Sequence, residues 1–204
     1  MPQLYGRDLR SGDILLEWNA GATVHKIIRF GQKLMNRGSE ELIHAAILFD
    51  NRYLIDSTSD GITASDIYLQ AKEYSYSVYR PNNPALAAGA ATCARICIDI
   101  DSRTKGMSYS YSGALTSIFK GPGVAPSRDA MDSAFGQLLK GKNHPFFCSQ
   151  FVVFIFQFVA EQNNLPAEKI FPYGDGCVPP SLLGSRLKSH PLFTEVGYMR
   201  ANQR

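Results

Sequence analysis

A cysteine stands where a loop gives way to the most apolar run of the chain. Cys148 follows Pro145, and residues 148–163 contain neither proline nor glycine, which predicts a buried helix that begins at Cys148. The first turn of a helix carries unpartnered backbone N–H groups and the positive end of the dipole, and both favour thiolate over thiol. A thiolate is a nucleophile, so the predicted chemistry of Cys148 is attack on a carbonyl carbon.

Such a nucleophile needs a base, and His44 is the first candidate. It lies near the start of a predicted apolar strand at residues 42–49, and a second predicted strand at residues 53–57 carries Asp56 among apolar neighbours. A tight turn at residues 50–52 would make the two strands a hairpin, in which Asp56 lies opposite or diagonal to His44. A carboxylate in such a strand needs a partner, because an unpaired buried charge is costly.

Cys148, His44 and Asp56 together form the set that a cysteine-protease type of site requires. The carboxylate would hold the imidazole tautomer, the imidazole would take the thiol proton, and the thiolate would attack. The oxyanion would lie near the backbone N–H of Cys148, with Tyr109 or Tyr111 as candidates for a second donor.

Simpler interpretations stay open for each of these residues. A histidine in an apolar strand usually packs in the core, and so does a free cysteine. His144 is an alternative base four residues before Cys148, although it is predicted to be a surface loop residue. His25 is predicted to be solvated, and His190, before Pro191, to lie in a loop. The other cysteines are predicted to pack: Cys93, Cys97 and Cys177.

Strands cluster early and late in the chain with helices between them, which predicts an α+β fold and not an alternating βαβ fold. The absence of a linker or repeat predicts a single domain over residues 1–204. Further strands are predicted at residues 14–18, 74–79 and 193–198. Further helices are predicted at residues 23–35, 65–72, 84–98, 107–119, 128–139 and 181–188, with a hinge or lid loop at 120–127.

Composition excludes several classes of function. The net charge is +3, and no cluster of Lys and Arg interleaves with aromatic residues, so nucleic-acid binding is rejected. No apolar leader and no run of about 18 apolar residues is found, so we expect no integral membrane segment and no cleaved signal peptide. The protein is expected to be made in the cytosol and to stay there, or to be exported without a cleaved leader. The cysteine spacing predicts neither zinc nor another metal, and no cofactor is expected.

The order of these motifs resembles that of the circularly permuted papain-like hydrolases of the NlpC type, over about residues 11–198. The motifs are Gly12-Asp13-Ile-Leu-Leu, Ile43-His44-Ala-Ala-Ile, Tyr53-Leu-Ile-Asp56-Ser, Tyr79-Arg80-Pro81 and Phe147-Cys148-Ser149-Gln150. The resemblance implies a permuted papain-like fold, with an antiparallel sheet of about five strands packed against helices and the catalytic cysteine at a helix N-terminus. It also implies Cys148 as nucleophile, His44 as base and Asp56 as third polar residue.

The function implied by this resemblance is cleavage of an amide bond through a thioester, as a cysteine peptidase or amidase. Peptidoglycan stem peptides are the first expected substrate, and an exported antibacterial effector toxin, with an inhibitory immunity protein as partner, is the expected role. One alternative is a lipid or thioester acyl hydrolase or acyltransferase. Phenylalanines could then line an acyl pocket, although core packing is the simpler interpretation: Phe146, Phe147, Phe151, Phe154, Phe156 and Phe158. A non-catalytic binding module is the alternative from another class.

Overall fold

The architecture combines one β-sheet with several helices. A computed structural model describes residues 1–18, 42–58, 60–104, 127–129, 133, 148–173 and 178–201. The strands are β1 (Ile14–Trp18), β2 (Leu42–Phe49), β3 (Tyr53–Thr58), β4 (Gly61–Asp66), β5 (Tyr76–Pro81) and β6 (Phe193–Met199). The helices of this part are α1 (Ile67–Gln70), α2 (Pro84–Thr104), α3 (Cys148–Gln162), α4 (Ala167–Ile170) and α5 (Pro180–Lys188).

The strands form a single sheet in the order β4-β3-β2-β1-β5-β6, and every neighbouring pair is antiparallel. The predicted α+β class is confirmed, with six strands in the sheet where about five were expected. Strand β2, which carries the candidate base, lies inside the sheet between β1 and β3. Its side chains can therefore meet side chains from a strand on either side.

The hairpin of β2 and β3 is confirmed at the predicted place. Asp50 and Asn51 both adopt positive φ, 52° and 53°, and the N–H of Arg52 bonds to the carbonyl of Phe49 at 3.1 Å. Positive φ at both central residues matches the right-handed twist of the flanking strands. The turn therefore fixes the register of β3 against β2, with Ile47 opposite Ile55.

The strand β4 was not predicted, and the helix predicted at residues 65–72 begins later. The structure has a strand up to Asp66 and a short helix only at Ile67–Gln70. Asp66 ends the strand because its carboxylate accepts the N–H of Tyr68 at 2.8 Å and so caps the helix. The same carboxylate bonds to Arg52, which holds the end of β4 against the hairpin turn.

Alternating residues of the central strands pack into different clusters. Ile14 and Ile47 belong to the larger core, which they share with residues of α2, α3 and α5. Leu15 and Leu48 belong to a smaller core, which includes Leu4 and Leu9 of the N-terminal segment together with Ile67 of α1. Helix α3 is thus anchored by the larger core, which fixes where its first residue lies.

The Gly12-Asp13 motif fastens the start of β1. Asp13 is fully buried, and its carboxylate accepts two hydrogen bonds from Arg80 on β5, at 2.8 and 2.7 Å. Gly12 has φ of 86°, and a Cβ there would lie 2.3 Å from the carbonyl oxygen of Ala87 on α2. Only glycine fits that position, so the motif ties β1, β5 and α2 together.

Several predictions fall outside the described residues. These are the helices at 23–35 and 107–119, almost all of the helix at 128–139, and the loop at 120–127 except its last residue. Within the described part, no helix combines the length and the hydropathy that a membrane span requires.

Candidate active site

His44 and Asp56 meet across the hairpin. The Nε2 atom of His44 lies 2.7 Å from Oδ2 of Asp56, and the carboxylate is largely buried. The other carboxylate oxygen, Oδ1, accepts a hydrogen bond of 2.8 Å from the hydroxyl of Thr63 on β4. Three consecutive strands therefore contribute one residue each, and both oxygens of Asp56 are held. The predicted proximity of His44 and Asp56 is found.

Cys148 is the first residue of α3, and it reaches the same imidazole. Its side chain is buried, and a hydrogen bond joins it to His44. Because an ionised carboxylate only accepts hydrogen bonds, the Nε2 atom of His44 donates to Asp56, and Nδ1 is left for the sulfur. The imidazole thus lies between the carboxylate and the thiol. The side chain of His44 remains 25% exposed.

The electrostatics of the cluster favour the imidazolium form. Burial of the ring alone lowers the pKa of His44. The negative charge of Cys148, the hydrogen bonds to Asp56 and to Cys148, and the charge of Asp56 act the other way, and they hold this pKa well above its ordinary value of 6.5. A protonated imidazole beside a thiolate is the form in which a cysteine attacks a carbonyl and the histidine then protonates the leaving group.

Glu17 completes the cluster, and sequence reasoning did not single it out. It lies on β1 directly opposite His44 in the ladder, and only 8% of it is exposed. Burial raises the pKa of Glu17 to about 7; the charge of His44 lowers it and the charge of Asp56 raises it further. The signal was available, since a lone acid in an apolar strand is the same pattern that marked Asp56.

Helix α3 is attached at two further points, which position Cys148. The hydroxyl of Ser149 donates to the carbonyl of Val178, just before α5. One turn from the end of the helix, the amide of Gln157 donates to the carbonyls of Phe171 and Tyr173, both at 2.7 Å. These polar contacts supplement the apolar packing of α3, so the position of the sulfur depends on the fold as a whole.

Of the other three histidines, one lies among the described residues and two do not. His190 lies between α5 and β6 as a loop residue, but it is buried against Phe171 and Phe193, and its Nδ1 accepts the N–H of Leu192 at 3.1 Å. Burial lowers the pKa of His190, which favours the neutral ring. Outside the described residues lie two histidines and both candidate oxyanion donors: His25, His144, Tyr109 and Tyr111.

Cys93 and Cys97 are buried on α2, as predicted for packing residues, and Cys177 lies outside the described residues. The hydrogen bond with Cys93 raises the pKa of Cys97 well above the ordinary thiol value, and burial raises it further. Neither thiol has the imidazole partner that Cys148 has among the described contacts. In the same described ranges, no group of three or more His, Cys, Asp or Glu side chains is arranged to hold a metal ion.

The α3 phenylalanines belong to the core. Phe151, Phe154 and Phe156 are buried in the larger cluster, and Phe158 packs against it. They pack on one another and on rings of later segments: Phe156, for example, meets Phe193 edge-on at 5.4 Å between centroids. Core packing was the simpler interpretation, and three of the four rings are fully part of the core, while Phe158 is half-buried at its edge. Phe146 and Phe147 lie outside the described residues.

Comparison with known proteins adds no identity to this geometry. No protein-family model matches the chain, and no curated protein matches its sequence.

Proposed function

We propose that this chain is a cysteine hydrolase in which Cys148 is the nucleophile, His44 the general base and acid, and Asp56 the residue that orients the imidazole. One observation carries the proposal: a single imidazole is hydrogen-bonded to a buried carboxylate and to a cysteine at the start of a helix. Because part of the His44 side chain is exposed to solvent, a substrate carbonyl could approach the site from that side. The proposed fold is the permuted papain-like one, supported by the motif order and by the cysteine's place on α3.

The reaction would proceed in two balanced steps. The thiolate of Cys148 attacks the amide carbonyl, the C–N bond breaks, and the imidazolium of His44 gives its proton to the departing amine. Water then attacks the thioester and gives a proton to His44, and the carboxylic acid leaves as the thiolate returns. The backbone N–H of Cys148, at the positive end of α3, would stabilise the oxyanion in both steps.

The proposed substrate is the stem peptide of peptidoglycan. Support comes from the resemblance of the motif order to NlpC-type hydrolases, and from the core packing of Phe151, Phe154 and Phe156, which accounts for these rings without an acyl pocket. Because the cell wall lies outside the cytoplasmic membrane, the enzyme would act after export. An exported antibacterial toxin, with an inhibitory immunity protein in the producing cell, is the role that we propose.

The first prediction is that purified peptidoglycan, digested with the wild-type protein, gains free amines in its stem peptides. Cys148→Ala and His44→Ala should lower the rate by about 10³-fold or more, and Asp56→Asn by about 10²-fold. Amine labelling and mass spectrometry of the fragments measure the cleavage. Cys93→Ala, which removes a buried thiol from α2, is the matched control and should keep the wild-type rate.

Two results would contradict this proposal. If Cys148→Ala cleaves at the wild-type rate, Cys148 is not the nucleophile. If wild-type protein releases no amine but hydrolyses long-chain acyl thioesters, the acyl hydrolase alternative replaces the amidase. A Cys148→Ala variant that keeps the full biological effect would favour a binding module.

A further inference from the structure

Glu17 is a buried acid that the proposed reaction does not yet use. It faces the imidazole of His44 from β1, while Asp56 faces it from β3, so carboxyl groups flank this ring from both neighbouring strands. Paired residues in an antiparallel ladder have neighbouring side chains, about 5 Å apart at Cβ. A carboxyl in an apolar strand costs stability when it is ionised, so its presence opposite His44 calls for a reason.

We infer that Glu17 is a positioning residue for the proposed site, which acts through His44 and supplies a second negative charge that keeps the imidazolium protonated in alkaline solution. This inference rests on the proposed function for its catalytic meaning. Asp56 makes the direct hydrogen bond and sets the ring's direction. Glu17, which lies one strand away on the other side, acts through its charge.

The groups around Glu17 define when that charge is present. Its ladder partners are His44 on β2 and Tyr76 on β5, and Asp56 on β3 lies one strand beyond His44. The charge of Glu17 raises the pKa of Tyr76 and that of Tyr74, in each case after the larger effect of burial. Both tyrosines are therefore neutral across the physiological range. With the pKa of Glu17 itself at about 7, its carboxyl is uncharged in mildly acidic solution and ionised above neutrality.

The sign of the effect follows from these charges. Below pH 6, Glu17 is neutral, and Asp56 is the strand carboxyl that bonds to the imidazolium. As pH rises through 7, Glu17 ionises, and the added negative charge opposes the loss of the proton from His44. The imidazole of His44 thereby keeps its proton to higher pH.

The test is the titration of His44 in the whole protein, followed by NMR on the imidazole carbons and assigned with His44→Gln. Glu17→Gln has nearly the same shape and no charge. In this variant the midpoint of His44 should fall by about one pH unit. Wild-type protein is expected to show an inflection near pH 7, where Glu17 ionises, and this inflection should be absent from Glu17→Gln. Glu195→Gln removes a strand carboxyl on β6, three strands away from β2 with β1 and β5 between them, and should leave the His44 curve unchanged.

The second readout is the pH profile of kcat/KM on the cleaved substrate. Below pH 6, Glu17→Gln should be as active as wild-type protein. On the alkaline side of the profile, the pH at which activity is half lost should be about one pH unit lower in the variant. Glu17→Asp, which keeps the charge, should restore most of the alkaline range. A fall in activity that is uniform across pH would assign Glu17 a merely structural role and overturn the inference.

The two arms separate this inference from the proposed function. If the His44 midpoint falls in Glu17→Gln while no amide is cleaved, the role of Glu17 stands and the substrate proposal fails. If amides are cleaved but the His44 curves of wild-type protein and Glu17→Gln superimpose, the inference is wrong and the hydrolase proposal stands.

Discussion

Glu17 and Asp56 show how the surroundings of one residue type decide its use. Asp56 receives hydrogen bonds on both carboxylate oxygens, from His44 and from Thr63. Glu17 is buried to a similar degree, but burial is the largest influence on it and raises its pKa to about 7. The first carboxyl is fixed next to the ring by these two bonds. The second carries its charge only above neutral pH, at a cost to the folded state.

That cost gives a second use of Glu17→Gln, in stability. Below pH 4.5 the carboxyl is protonated in both the folded and the unfolded chain. Between pH 4.5 and about 7 the unfolded chain releases this proton while the folded chain keeps it, so the free energy of unfolding falls. The fall from this one group amounts to about 3 kcal/mol, and it is complete above pH 7.

The variant has no such proton to release. Its stability relative to wild-type protein should therefore increase by about 3 kcal/mol between pH 4.5 and pH 8, as measured by urea unfolding followed by circular dichroism. Glu195→Gln serves as the control with little change. An equal pH dependence of wild-type protein and Glu17→Gln would mean that the carboxyl of Glu17 is ordinarily hydrated.

At the scale of elements, the Asp13–Arg80 pair holds the strand that presents Glu17. Asp13 lies just before β1 and Arg80 lies on β5, and two hydrogen bonds join their side chains. The side chain of Asp13 has no exposed area, and 21% of the Arg80 side chain is exposed. Asp13 also accepts the backbone N–H of Arg10 at 2.8 Å. Removal of the arginine would leave a buried carboxylate with only that backbone donor, which is more costly than the loss of the pair itself.

We therefore expect Arg80→Met to lower the free energy of unfolding by about 3 kcal/mol or more in urea at pH 7. Adding Asp13→Asn should recover part of the loss, because no buried charge then remains. Arg52→Met is the matched control: Arg52 also donates two hydrogen bonds to an aspartate, both to Oδ2 of Asp66, but it does so at the surface, where solvent screens the pair, and a smaller loss is expected. Equal losses for Arg80→Met and Arg52→Met would show that burial of Asp13 is not what makes its partner necessary.

Elements whose signals are local could be predicted from the sequence, and elements that depend on neighbours could not. The hairpin carrying His44 and Asp56 follows from alternation and a turn at Asp50-Asn51, and α3 follows from an uninterrupted apolar run after a proline. Strand β4 has small and polar residues and exists because β3 pairs with it and the carboxylate of Asp101 accepts the N–H of Ile62 at 3.0 Å. That acceptor comes from α2, so no local pattern announces the strand.

At the scale of the whole molecule, the same limit applies to the site. The α+β layout was predictable because strands lie early and late in the chain, and the resulting sheet brings β1, β2 and β3 side by side. The meeting of Cys148 with His44 could be predicted only from the order of motifs, because it requires α3 to dock on a sheet formed from distant segments. The sequence did not indicate that Glu17 lies opposite His44, because that pairing depends on the register of β1 against β2. No short turn connects these two strands, so their register could not be predicted.

The proposed role makes a prediction about where the protein is harmful. Wild-type protein directed by a cleavable leader to the periplasm of a Gram-negative host should lyse the cells, because the cell wall is accessible there. The same protein without the leader, and Cys148→Ala with it, should leave growth unchanged, as followed by optical density and by muropeptide analysis. Toxicity confined to the leaderless form would place the substrate in the cytosol. Equal lysis by Cys148→Ala would exclude the thiolate as its cause and leave binding, not cleavage, as the action of the molecule.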